Sequence, residues 1–392
     1  MIDRNTKFEE TPIDKTSIPQ EELNIDNKIR SNLFAWNGQF SPQFIEVLLS
    51  RYAKDSDIVI DPFAGSGTTL CEAARRGISA YGMELNASAF YMAKTYELAN
   101  VTYPEREALI NSIDQILDTI TVTECILPTI SHAIQHRKNS LLTGVLCTLI
   151  ILMDLFNSEL SISLLHKKWT GLKKIILEIP YSSAKIKVDM GDSRKLGCNS
   201  GVATLLITSP PYINVFNYHQ KYRRSVEALG YDVLAIAKNE FGSNRKNRNN
   251  RLLTVIQYCI DMALSIKEAM RVCRQNARMI YIVGRESNVL GYSFCNSRLI
   301  FEIATEIFQL PLMLRQERSF KNRFGQVIYE DILHFENTQR NNFPCDEDIE
   351  DAARTIAVRI LIEKTQMYPK SRNIELLYRA IERAGSIKKS EG

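Results

Sequence analysis

The sequence predicts an α/β fold, an open and mostly parallel sheet with helices on its faces, and three stretches carry that prediction. The run Ile58-Val59-Ile60 leads directly into Asp61-Pro62-Phe63-Ala64-Gly65-Ser66-Gly67-Thr68-Thr69. A second apolar run, Ile78 to Met83, ends in Glu84, 19 positions after Gly65. A third, Val202 to Ile207, is stopped by Thr208-Ser209-Pro210-Pro211-Tyr212. Short apolar runs with glycine or proline at their ends read as strands buried on both faces. Loops at the C-terminal ends of such strands are where open α/β sheets bind ligands.

In chain order, residues 1–30 are polar, with seven acids against four bases in the first 29, and are expected to form a loosely held N-terminal arm. Ser41 before Pro42 fits an N-cap with proline in the first turn, so a helix should run from Pro42 to about Ala53. The glycine loop opens a helix from Thr69 to Arg76, with Gly77 as its C-cap. Asn86 can cap the next helix, which should reach about Asn100. The Gly-x-Gly spacing with an acid at the tip of the following strand matches part of the dinucleotide-binding pattern. The third glycine of that pattern is missing, and an acid-proline pair precedes the loop.

Residues 101–185 read as a helical insertion, from Glu105 to Leu117 and again from Ser140 to Leu155. Its greasiest run, Leu141 to Phe156, carries Asp154 and is short for a bilayer, so a buried helix is expected and no membrane span. His132 and His136 share a helix face, but no further ligands accompany them and no metal is expected. Lys185 to Met190 alternates like a strand, and Asp192 follows it. A helix from Leu252 to Val272 and a strand from Met279 to Gly284 come next. Leu310 to Arg318 and Gln326 to Phe335 read as an antiparallel pair. Residues 338–392 form a helical tail whose acidic start, Asp346 to Asp351, suits a helix N-terminus.

Composition narrows the class. At 392 residues the chain can bury a sizeable core, and 45% apolar with 24% charged residues is ordinary for a globular protein rather than a disordered one. Eight scattered cysteines contain no Cys-x-x-Cys pair, which reads as reduced thiols in a cytoplasmic protein and not as a disulfide frame or zinc site. The first residues lack the form of a signal peptide.

Thr208 to Tyr212 has its own physics. Neither proline can donate to a strand ladder, and Pro210 drives Ser209 into an extended conformation. The result is a rigid loop showing a hydroxyl, carbonyl groups and an aromatic ring. Beyond it, residues 221–251 hold eight bases against three acids, among amides and aromatics. His219, Arg223, Arg224, Arg245, Lys246, Arg248 and Arg251 are the candidates there for a nucleic-acid surface, a solvated flexible loop being the other reading.

Together, Asp-Pro-Phe-Ala-Gly-Ser-Gly-Thr and Thr-Ser-Pro-Pro-Tyr give the chain its resemblance to S-adenosylmethionine-dependent DNA methyltransferases that modify exocyclic amino groups. The resemblance covers roughly residues 34–100 and 186–335. It implies a Rossmann-like methyltransferase fold, a mixed seven-stranded sheet flanked by helices, with a helical insertion. The catalytic domain would be 31–100 with 186–337, and the insertion 101–185 would be a candidate for target recognition. It also implies S-adenosylmethionine as cofactor. Asp61, Phe63, Gly65 and Gly67 would line the methionine side, with Pro62, Ala64 and Thr68 completing the loop. Glu84 would accept from the ribose hydroxyls and Asp192 from the adenine amino group. Ser209 and the Pro210 carbonyl would accept hydrogen bonds from the target amine, Pro211 would hold the loop rigid, and Tyr212 would stack on a base flipped out of the duplex.

Within that family Ser-Pro-Pro-Tyr is more typical of cytosine-N4 enzymes, which makes N4-methylation of cytosine in double-stranded DNA the expected activity. A cognate restriction endonuclease acting on the same site is the expected partner. Adenine-N6 methylation is the nearest alternative. An RNA base methyltransferase and an inactive nucleic-acid-binding homologue are the others.

Overall fold

The computed structural model describes residues 7–136, 140–213, 218–242, 247, 249–321, 325–338 and 343–390. Among them are nine strands: β1 (Ile58–Asp61), β2 (Ser79–Glu84), β3 (Ile186–Met190), β4 (Ala203–Thr208), β5 (Cys273–Gly284), β6 (Glu286–Val289), β7 (Tyr292–Cys295), β8 (Leu312–Lys321) and β9 (Val327–Glu336). Seven make one mixed sheet in the order β3-β2-β1-β4-β5-β9-β8, with helices between the strands, and β6 and β7 form a separate hairpin. The chain divides into two compact units, residues 28–191 with 217–236, and residues 1–27 with 192–216 and 237–392.

In the first unit β1, β2 and β3 pair in parallel, Ile58 opposite Ser79 and Glu84 opposite Met190. The helix Pro42–Tyr52 begins where the sequence places it. Pro42 at its first position supplies the preset φ, but the Ser41 side chain makes no cap bond. Asn86 does cap the helix Ala87–Thr95, accepting from the Ser88 and Ala89 amides. Residues 103–178 hold four helices, of which Ser140–Met153 is the apolar run read as a buried helix. It lies against Ala87–Thr95, where Thr148 Oγ1 donates to the Tyr91 carbonyl at 2.8 Å. Arg106 is fully buried, and its guanidinium donates to the carbonyls of Val101, Ile176 and Pro180. It thereby satisfies carbonyl groups that the end of the helix Ile162–Glu178 leaves without partners. Among the described residues, no helix is long and apolar enough to cross a membrane.

The second unit holds β4 parallel to β5, and β9 antiparallel to both β5 and β8. β5 starts at Cys273, six residues before the apolar run that announces it in the sequence. Its polar lead-in is fastened by Asn337, whose amide donates to the carbonyls of Met270, Cys273 and Arg274. β8 is an edge strand, and the N-terminal segment covers that edge rather than hanging loose. The Asp14 amide donates to the Arg315 carbonyl at 2.7 Å, Gln20 Nε2 to the Glu317 carbonyl at 2.8 Å, and Asn24 Oδ1 accepts the Ser319 amide at 2.9 Å. Residues 315, 317 and 319 alternate along the strand, so these are the outward groups that an uncovered edge would offer to another chain. Phe8, Ile18 and Leu23 are buried in the same contact. Charge counting misses this, because the anchoring apolar residues are few and widely spaced.

A buried polar chain runs through this contact. Arg278 donates to His334 Nδ1, the His334 Nε2–H donates to Gln316 Oε1 at 3.0 Å, and Gln316 Nε2 donates to Asp14. The imidazole is therefore held neutral, and burial first, then the Arg278 charge, pushes its pKa down to about 3. An unfolded histidine protonates near 6.5, so stability is present above that value and is lost as pH falls toward 3. The slope is up to ~1.4 kcal/mol per pH unit. Urea unfolding at pH 7.5 and pH 5 should show a loss of about 2 kcal/mol from this group. His334→Gln, with nothing to protonate, should remove that part of the loss; identical pH slopes in the two proteins would refute it.

Candidate functional site

Two loops at strand ends carry the candidate chemistry, one in each unit. In the first, β1 delivers Asp61 almost fully buried. Its Oδ1 accepts the Phe63 amide at 3.2 Å and its Oδ2 the Thr69 hydroxyl at 2.7 Å. The carboxylate therefore spans the loop, fixing its entry to the helix Thr68–Arg75 that follows. Glu84, at the tip of β2, closes the loop from the other side. Its Oε2 accepts the Gly65 amide at 2.8 Å, and its Oε1 accepts the Asn86 amide at 2.7 Å. The spacing of 19 positions thus corresponds to a direct bond. A carboxylate offers about four acceptor directions, which two backbone bonds do not exhaust.

The glycines differ in what they permit. Gly67 has φ +91°, and a Cβ there would lie 2.7 Å from Tyr96 Cδ2 and 2.9 Å from the Ala93 backbone, so it is a packing glycine. Gly65 has φ +54°, and its nearest neighbour in the Cβ direction is Trp36 Cδ1 at 3.7 Å. A Cβ there would sit in ordinary van der Waals contact with the indole, so Gly65 is required by its φ and not by crowding.

Residues 32–40, just ahead of the helix Pro42–Tyr52, clasp this loop. Thr68 Oγ1 donates to Asn32 Oδ1 at 2.8 Å, and Ser66 Oγ to Gln39 Oε1 at 2.7 Å. Trp36 stacks on Tyr222 with ring centroids 6.4 Å apart, and Lys221 Nζ sits 5.1 Å from the indole centroid while donating to the Ala35 carbonyl. Burial lowers the Lys221 pKa. The density of aromatics and amides in Phe34-Ala-Trp-Asn-Gly-Gln-Phe40 is the signal that could have found this clasp.

Asp192 belongs to the second unit, in a buried charge cluster. Its carboxylate accepts the Arg194 amide at 2.8 Å and Arg194 Nε at 3.0 Å. Arg194 Nη1 reaches Asp261 Oδ1 at 2.6 Å and the Ser390 carbonyl at 2.8 Å. Asp261 has no exposure; burial pushes its pKa up, with Arg194 opposing.

The second loop follows β4, whose last residue, Thr208, is fully buried. Ser209, Pro211 and Tyr212 are half-buried, while Pro210 and Ile213 are buried. The Tyr212 hydroxyl donates to Glu330 Oε1 at 3.0 Å, and Ser209 Oγ lies 3.5 Å from that hydroxyl. Glu330 in turn accepts Arg318 Nε at 2.6 Å. The Tyr212 ring rests on Gly284, where a Cβ would fall 2.5 Å from Cε2. Beneath it Asn296, fully buried, donates to the Gly284 carbonyl at 3.0 Å and to Ser287 Oγ at 2.9 Å. Neither Glu330, Gly284 nor Asn296 has a local sequence signal, since each matters only through the loop it meets.

Of the residues read as a nucleic-acid surface, Arg223 pairs with Glu227 at 2.7 Å, and the exposed Arg224 lies 5.3 Å from the ring of exposed Phe156. His219 is buried and Arg251 half-buried. Arg245, Lys246 and Arg248 lie outside the described residues.

A family model described as DNA methylase matches residues 8–95. Over 51 residues the chain is 43% identical to Type II methyltransferase M.MjaII of Methanocaldococcus jannaschii, a match covering 13% of this chain and 10% of that protein. The match therefore spans about a tenth of the relative's length. Solved structures similar to this chain include a SAM-dependent methyltransferase from Methanosarcina mazei, with TM-score 0.36 and 9% identity over 75% of this chain and 98% of that one. Another is TrmN from Thermus thermophilus, with TM-score 0.35 and 13% identity over 79% of this chain and 52% of that one.

Proposed function

We propose that this chain transfers a methyl group from S-adenosylmethionine to the N4 amino group of cytosine in duplex DNA, with the base flipped out of the helix. The observation that carries the reading is the glycine loop bonded to Glu84, Gly65 amide to carboxylate at 2.8 Å, in a chain that also holds Ser209-Pro-Pro-Tyr at the end of β4. The family match over residues 8–95 and the Type II relative support the same class.

The residues of the loop suit the cofactor. The Trp36 ring beside Gly65 offers an aromatic face that suits a cationic methionyl sulfonium. Glu84 suits the two hydroxyls of a ribose, and Asp61 keeps the loop in shape for both. When bound, S-adenosylmethionine supplies a methyl group already activated by a positively charged sulfur.

The rest is done by the chain. An exocyclic amine is a weak nucleophile because its lone pair is delocalised into the ring. Ser209 Oγ and the Pro210 carbonyl accept hydrogen bonds from its two N–H groups and draw it toward tetrahedral geometry, and the prolines keep both acceptors fixed; as the nitrogen gains the methyl group it releases one proton to water. Tyr212 offers a face for the flipped ring. A cytoplasmic setting and a restriction endonuclease sharing the site belong to the same reading.

The deciding experiment incubates the protein with duplex DNA and labelled S-adenosylmethionine, followed by nucleoside mass spectrometry. N4-methylcytosine is expected. N6-methyladenine would move the assignment to the other amino group, and label confined to RNA would overturn both.

A further inference from the structure

We infer that Glu330 is the positioning residue for Tyr212, and through it for the acceptor loop; the inference rests on the reading of that loop given above. Three observations meet at this point. The Tyr212 hydroxyl donates to Glu330 Oε1 at 3.0 Å. Arg318 Nε holds the other carboxylate oxygen at 2.6 Å, and the two side chains are only 7% and 10% exposed, so the acceptor cannot swing away into water. On its far side the ring occupies the space that a Cβ at Gly284 would take. A hydroxyl held by a fixed acceptor and a ring seated on a bare backbone leave one orientation for the aromatic plane.

That orientation matters because the ring and Ser209 share a five-residue loop. A tyrosine free to rotate would lose the face it offers a base, and the Ser209 hydroxyl 3.5 Å away would lose a neighbour that limits its rotation. Misplacement of about 1 Å can cost up to ~100-fold in rate without touching the reacting groups. Glu330 comes from β9, which follows the loop by 118 positions, and register sets it directly opposite Arg318 on β8. The antiparallel pair thus has a task beyond completing the sheet.

The test is a double-mutant cycle on DNA methylation. Glu330→Ala alone leaves Arg318 buried without its partner, so the paired variant Glu330→Ala/Arg318→Met is used as well. Tyr212→Phe removes only the hydroxyl. Each should lower kcat by about 10–100-fold, with KM for S-adenosylmethionine unchanged. The combination of Tyr212→Phe with the Glu330 change should be no worse than either alone. Additive losses, or equal losses in cofactor binding, would overturn the assignment.

A second readout does not depend on activity. With 3-fluorotyrosine at position 212, the ¹⁹F signal should be narrow in the otherwise native protein and shifted or broadened in the Glu330→Ala/Arg318→Met variant. An unchanged signal would also overturn it. A protein that methylates no DNA but shows the ¹⁹F change would sink the functional reading and leave the positioning role standing.

Discussion

Replacing Ser209 with alanine is expected to cut turnover by about 100-fold or more while the affinity for S-adenosylmethionine stays within a factor of a few. The hydroxyl sits half-buried on a loop whose prolines remove backbone freedom, so alanine changes one acceptor and little else. An interaction made only as the amine becomes tetrahedral affects kcat and not ground-state binding. Isothermal titration with S-adenosylhomocysteine, set beside single-turnover methylation, separates the two. A parallel fall in both would mean that the loop shapes the cofactor site, and the acceptor role would have to be abandoned.

The second large effect is on stability. Asp331 has no exposure and is the hub of a cluster: Arg315 Nη2 at 3.0 Å, Arg285 Nη2 at 3.1 Å and the Ser297 hydroxyl at 2.7 Å all donate to it. Removing Asp331 takes the carboxylate from the buried Arg315 guanidinium, while Arg285 keeps Glu317 at 2.7 Å, and stranding a buried charge in this way costs about 3–5 kcal/mol. Asp331→Ala should lower the urea midpoint accordingly, with Asp331→Asn in between because its amide oxygen still accepts. Arg315 also donates to the Phe8 carbonyl and the Thr11 hydroxyl, so the alanine variant should release the N-terminal segment to protease first. A loss under about 1 kcal/mol would show that the cluster behaves like a solvated one.

Much of the fold was legible because its strand ends are written in residues with a single backbone meaning. Gly65, Gly67, Pro210 and Pro211 punctuate the chain where the strands stop, and Asn86 caps the helix the sequence assigns to it. The separation of Gly65 and Glu84 translated into a bond because a strand-helix-strand unit leaves little room for variation. The hairpin of β6 and β7 was not legible, since its strands are four residues each and the polar Ser287 takes one of the buried positions. The docking of residues 8–24 on β8 was hidden for a different reason: Gln20, Asn24 and Asp14 are polar in the sequence, and nothing local says that their partners are backbone groups of a distant strand. Glu330 and Gly284 were missed likewise, as their roles exist only once Tyr212 lies between them.

The covered edge of β8 has a consequence for the ribosome. Phe8 meets Arg315 across 307 positions of chain. At about 5–20 residues per second the N-terminal segment emerges roughly 15–60 s before its strand is made. Throughout that interval Phe8, Ile18 and Leu23, buried once the chain is folded, have no seat on β8.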